Sequence, residues 1–154
     1  MSSTGNKIVD WILVHTTDDC PYCKFVKPVL DFLVKNEFTA KVHYKYYNNR
    51  DNYLQSLGDY SAKYNEEFHY PILEIFRNSR KSIVPASVVR EILLIMGDLD
   101  MEIQFALFDN EEVDENLIMN EVITANSLLM KGIEEAFVIM TTYEVTGDEE
   151  EGLI

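Results

Sequence analysis

The chain has 154 residues, of which 47% are apolar and 26% are charged. That length and composition are typical of a folded globular domain and exclude disorder throughout the chain. With 13 Lys and Arg against 27 Asp and Glu, the formal net charge is −14, which argues against binding to nucleic acid or to an anionic membrane surface. The sequence shows no apolar signal region and no stretch long enough to span a membrane, so we expect a cytoplasmic protein.

The acidic residues are concentrated in the C-terminal third. Residues 1–97 hold 12 basic and 11 acidic side chains, whereas residues 98–154 hold one basic residue, Lys131, and 16 acidic ones. This shift in charge predicts a near-neutral body, 1–97, and an acidic extension, 98–154, packed on it. The acidic surface is either a solvated face or a docking surface for a basic partner.

The body alternates between the patterns of strands and helices. Four short segments rich in large apolar residues are predicted strands: Ile8–His15, Ala40–Tyr47, Ile72–Phe76 and Lys81–Val84. Three segments have helical spacing: Pro21–Asn36, Arg50–Tyr64 and Val88–Met96. Pro28 is expected to kink the first helix, and Ser87 is a candidate N-cap of the third. This order predicts an α/β fold with one small sheet and helices on its faces.

The acidic extension is predicted to be mainly helical. Residues 113–137 carry apolar side chains at roughly helical intervals. Residues 102–108 alternate like a strand but are equally compatible with the start of a helix, and residues 138–145 look extended.

The two cysteines, Cys20 and Cys23, are separated by Pro21-Tyr22 and lie between a predicted strand and a predicted helix. Backbone N–H groups at the start of a helix favour the thiolate form, which is the reactive one. The spacing lets the two sulfurs bond to each other, so Cys20 is the candidate nucleophile and Cys23 the thiol that resolves a mixed disulfide.

Two other interpretations of the cysteine pair stay open at this point. The pair could be half of a zinc site, with further ligands among His15, His43 and His69, although no second Cys pair or close His pair exists. The cysteines could also be inert buried thiols. His69 could instead tune a nearby thiolate, or be a loop histidine without a role.

The motif Cys20-Pro21-Tyr22-Cys23, together with Tyr70-Pro71 before a predicted strand, resembles the glutaredoxins of the thioredoxin fold over residues 7–97. The resemblance implies a thioredoxin-like fold, in which a small mixed sheet is flanked by helices. It also implies a cis proline, Pro71, that faces the cysteines.

The resemblance also assigns roles to individual residues. Cys20 is the nucleophile and Cys23 the resolving thiol, while Tyr22 flanks the substrate. The backbone of Tyr70 is expected to pair with the substrate as an added strand.

The chain departs from the glutaredoxin pattern where that family binds glutathione. Thr17 stands in the place of a basic residue and is followed by Asp18 and Asp19, whose charges disfavour an anionic ligand. The Gly-Gly turn before the last helix of the family is absent, which leaves Ser87 as the residue there that could contact substrate. Such departures fit a divergent member of the family, for example a viral one.

We therefore expect a thiol–disulfide oxidoreductase that reduces protein or glutathione mixed disulfides, with no bound cofactor or metal and with glutathione as a candidate electron donor. The alternative is a redox-inactive binding or assembly protein of the same fold that docks a partner through the acidic extension. The resemblance also allows an iron–sulfur carrier, but it disfavours this function, because family members that carry such a cluster tend not to keep a proline after the first cysteine, where Pro21 stands here.

Overall fold

The computed structural model describes residues 8–17, 20–47, 55, 57–64, 69 and 71–153, with side chains described as far as residue 138. The strands are β1 (Trp11–Thr17), β2 (Lys41–Tyr47), β3 (Ile72–Arg77) and β4 (Arg80–Ile83). The helices are α1 (Lys27–Lys35), α2 (Gly58–Tyr64), α3 (Ala86–Phe108) and α4 (Glu115–Leu153), and a short 3-10 helix, Cys23–Phe25, precedes α1. The predicted α/β order of elements is therefore confirmed.

The four strands form one mixed sheet in the order β2-β1-β3-β4. β1 runs parallel to β2 and antiparallel to β3, and β3 is antiparallel to β4. His15 is paired with Ile72, so the end of β1 and the beginning of β3 meet at the same edge of the sheet. The segment that carries the cysteines leaves the sheet at this edge, and Pro71 enters it there.

One face of the sheet carries the main hydrophobic core. Since alternate residues of a strand point to the same side, β1 and β3 present four fully buried side chains to this face: Ile12, Val14, Leu73 and Ile75. They pack with buried residues of α1, α3 and α4 in one continuous cluster. Helix α4 contributes Ala125, Leu129, Ile133, Ala136 and Phe137, all at most 1% exposed.

The acidic segment thus continues the body and shares its core. The division predicted after Gly97 lies inside α3, a helix that runs without interruption from Ala86 to Phe108. Residues 102–108 and 138–145 are helical, so the strand option for the first and the extended prediction for the second are wrong. A seven-residue alternation is too short to distinguish a strand from a helix when neighbouring residues continue the helical pattern.

Helix α3 and helix α4 approach each other closely at Gly132. A Cβ atom built on Gly132 would lie 2.8 Å from Cγ1 and 3.2 Å from Cβ of Val88. Gly132 is therefore the residue that lets α4 pack tightly against the first turn of α3.

Two expectations about the helix boundaries are corrected. Helix α1 begins at Lys27, so Pro28 occupies its first turn, where proline removes no helical hydrogen bond and causes no kink. Helix α3 begins at Ala86 with Pro85 as its N-cap, which places Ser87 within the first turn. Among the helices that the structure describes, none is both long and apolar enough to cross a membrane.

Candidate redox site

The candidate site lies where β1 ends and the 3-10 helix begins. Cys20 and Cys23 have Cα atoms 5.6 Å apart, and their sulfurs lie within disulfide-bonding distance of each other. Both residues are partly exposed. The separation of the Cα atoms is ordinary for a disulfide, so the backbone here permits a bond between the two sulfurs.

Thr16 holds the sulfur of Cys23 from the sheet side. Its hydroxyl donates a hydrogen bond to Cys23 Sγ over 2.6 Å, and its contact with the carbonyl oxygen of Thr17 is longer, at 3.4 Å. Thr16 is buried at the end of β1, so the donor is fixed by the strand. The sequence analysis missed this residue. A hydroxyl residue at the end of the strand that precedes the cysteines was the available signal.

A cleft of about 160 Å³ lies beside the cysteine loop. Tyr22, His69, Pro71 and Arg90 line it, together with apolar side chains at the ends of β3 and β4 and on α3. Tyr22 comes from between the two cysteines and is 57% exposed, whereas Pro71 is buried. The antiparallel pairing of β1 with β3 explains why these distant parts of the sequence meet here.

The structure brings together some of the residues predicted to bind substrate. Tyr22 and Pro71 line the same cleft, and so does His69. Ser87 is exposed on the first turn of α3 but is not part of the cleft wall. Tyr70 lies outside the described residues, and so do the two aspartates that precede Cys20.

Arg90 is a cleft residue that the sequence analysis did not single out. It is exposed on α3 and borders the cleft. It is also the one basic residue between Lys81 and Lys131, which was a usable signal. Thr17 is buried, so the position that is basic in glutaredoxins does not face solvent here.

A buried polar cluster lies on the opposite face of the sheet. His15 Nε2 is 2.9 Å from Glu74 Oε1, and His15 Nδ1 is 2.8 Å from the hydroxyl of Tyr47. His15 and Glu74 are both nearly inaccessible. Both ring nitrogens of His15 therefore have hydrogen-bond partners within the fold, so neither is available as a zinc ligand.

The other candidate zinc ligands are likewise dispersed. His43 packs edge-on against Trp11, with ring centroids 5.6 Å apart, while His69 lies at the cleft. Among the described residues, no group of three or more His, Cys, Asp or Glu side chains is arranged to hold a metal ion.

Comparison of the chain with known protein families, with curated proteins and with solved structures gave no match in any of the three searches. The function is therefore argued from the geometry of the site itself.

Proposed function

We propose that this protein is a glutaredoxin-like thiol–disulfide oxidoreductase with a thioredoxin-like fold. The observation that carries the proposal is the pair of partly exposed cysteines, Cys20 and Cys23, whose sulfurs lie within bonding distance of each other beside a cleft lined by Tyr22 and Pro71. The order and directions of the four strands support the fold assignment, because they place these groups at one edge of the sheet.

The reaction begins with the reduced pair. The thiolate of Cys20 attacks one sulfur of a substrate disulfide, and the other substrate sulfur leaves as a thiolate. The thiolate of Cys23 then attacks the sulfur of Cys20, which releases the second substrate thiol and forms the Cys20–Cys23 disulfide. The substrate gains two electrons, and a thiol reductant, for which glutathione is a candidate, returns two electrons to the pair.

Thr16 acts in the second step through its contact with Cys23. A hydroxyl donor next to sulfur compensates the negative charge that Cys23 carries as a thiolate. The same hydrogen bond aims the sulfur at Cys20, since Thr16 is fixed within β1. We assign Thr16 the role of a positioning residue.

The cleft holds the substrate. Its wall is largely apolar and Arg90 lies at its rim, so a carboxylate on the substrate can pair with the guanidinium. Arg90 would thus supply, from α3, the positive charge that glutaredoxins carry at the position of Thr17. A glutathione mixed disulfide carries such carboxylates on the glutathione itself, and a protein disulfide does so where an acidic side chain lies nearby.

The test is a trapping experiment with the variant Cys23→Ser, which can form a mixed disulfide but cannot resolve it. The protein is offered glutathione disulfide and, separately, a disulfide-bonded protein, and the adducts are identified by mass spectrometry. We expect an adduct on Cys20 with at least one of them. The matched control, Cys20→Ser, keeps the other thiol of the pair. We expect this variant to form adducts much more slowly than Cys23→Ser does. Equal trapping by both variants, or none by either, would overturn the proposal.

A further inference from the structure

Helix α3 is apolar on two opposite sides. One side carries core residues, among them Val89, Ile92, Met96 and Leu99. The other side presents Leu94, Met101, Phe105 and Phe108, which are 62%, 55%, 63% and 85% exposed. We call these four side chains the α3 stripe.

The spacing of the α3 stripe is regular. Its members follow one another by seven, four and three residues. At 3.6 residues per turn they fall within an arc of about 60°, and the stripe extends about 21 Å along the helix. This is the pattern by which one helix packs lengthwise against another, and scattered exposed apolar residues do not produce it.

Acidic side chains follow one flank of the α3 stripe. Glu91, Asp98 and Glu102 are exposed and project to the same side of it at helical spacing. Between Arg90 and Lys131 the chain contains ten acidic residues and no Lys or Arg. A partner must therefore supply apolar groups in a row and positive charge beside them.

We propose that the α3 stripe is a docking surface for a basic amphipathic helix of another protein, whose apolar side covers the stripe and whose Lys and Arg side chains face the acidic flank. The negative charge beside the α3 stripe favours a basic helix over the other possible partners. A second copy of the chain would bring another strongly acidic surface to the stripe, and an anionic membrane would be repelled as well. The inference does not depend on the redox function.

The experiment measures binding of the full chain to three labelled synthetic peptides of equal length by fluorescence anisotropy. The first has Leu at heptad positions a and d and Lys at most other positions. The second replaces its Lys by Glu, and the third scrambles the first so that it has no apolar side. We expect binding of the first peptide alone, with an affinity that falls as salt is added.

Matched variants locate the contact. Phe105→Ser and Phe108→Ser are each expected to weaken binding about tenfold. Leu107→Ser removes a side chain of similar exposure, 57%, that points roughly 140° away from the start of the stripe on the same helix, and it should leave the affinity unchanged. Glu91→Gln with Glu102→Gln should weaken binding and reduce its salt dependence. Because all of these side chains are exposed, the variants should keep the circular dichroism of the parent.

Other outcomes would overturn the proposal. Equal binding of the basic and scrambled peptides, or equal binding by Phe105→Ser and Leu107→Ser, would mean that the stripe does not select a helix. Sedimentation that shows a dimer of the full chain, dissociated by Phe105→Ser, would assign the stripe to a second copy. Binding to vesicles of zwitterionic lipid that is lost in Phe105→Ser would assign it to a membrane surface.

Discussion

The hydroxyl of Thr16 lies 2.6 Å from the sulfur of Cys23, across the junction between β1 and the cysteine loop. The donor is buried in a strand and the acceptor lies at the start of a 3-10 helix. A fixed group of the sheet thus holds the sulfur that, in the proposed reaction, attacks Cys20 to resolve a mixed disulfide.

Thr16→Val should slow this resolution step. Valine keeps the β-branched shape but lacks the hydroxyl, so the loss is that of one hydrogen bond, about 1 kcal/mol or roughly fivefold in rate. The measurement is the decay of a preformed Cys20 mixed disulfide, followed by quenching and mass spectrometry. Thr16→Ser retains a hydroxyl and should restore most of the rate, whereas equal rates for Val and wild type would contradict the role.

Arg90→Met should selectively weaken the binding of substrates that carry a carboxylate. Methionine keeps an unbranched apolar stem but removes the charge at the cleft, so KM for glutathione disulfide should rise about fivefold with little change in kcat. An uncharged disulfide such as hydroxyethyl disulfide serves as the control and should be reduced equally well by both proteins. A similar loss with both substrates would show that Arg90 acts on the fold or on the thiols instead.

Gly132→Ala should destabilise the fold even though alanine favours helices. Overpacking against Val88 costs about 1–3 kcal/mol, and the gain in helix propensity returns about 1 kcal/mol. Urea unfolding should therefore show a net loss of about 1 kcal/mol. Val88→Ala removes the side chain that the new methyl group would meet. In a protein that already carries Val88→Ala, Gly132→Ala should therefore raise the free energy of unfolding. Gly58→Ala is the matched control, because a Cβ there would meet no atom within 4 Å.

The stability of the protein should decline in strong alkali partly through Tyr44. Partial burial, with smaller contributions from the charges of Asp31 and Tyr46, raises the pKa of Tyr44, which is still 37% exposed, from 10.0 to about 12. Between these values the unfolded chain loses a proton that the folded chain retains, so the free energy of unfolding falls as pH rises. Below that interval this residue contributes no pH dependence. Tyr44→Phe should show a shallower decline in urea unfolding at successive pH values, and an unchanged slope would contradict the assignment.

The order of strands and helices was predictable from the sequence because the signals for it are local. The same holds for the prediction that the sulfurs of Cys20 and Cys23 can bond to each other. The strand before Cys20 is visible in a run of neighbouring apolar residues. Pro71 was identified through the resemblance to the glutaredoxins, in which a proline begins the third strand. The structure places it at the cleft.

Thr16 and Arg90 were not predicted because their roles depend on packing between distant segments. The sequence shows a hydroxyl residue at the end of the strand before the cysteines, but it does not show that the hydroxyl of Thr16 points toward a sulfur seven residues later. Arg90 becomes a cleft residue only when α3 is placed against the beginning of β3. The α3 stripe was missed for a related reason, because a helix that is apolar on two sides has weak periodicity and its second side is revealed only by exposure.

The continuity of α3 through Gly97 joins the cleft to the stripe. Arg90 and Leu94 are one helical turn apart, about 6 Å along the axis, and lie on nearly the same side of the helix. A helix docked on the stripe would thereby lie next to the cleft that Tyr22 and Arg90 line. If that partner carries a disulfide, its reaction with Cys20 becomes intramolecular, at an effective concentration on the order of millimolar. The choice of substrate would then be made by the tether, and the reacting sulfurs themselves would need little specificity.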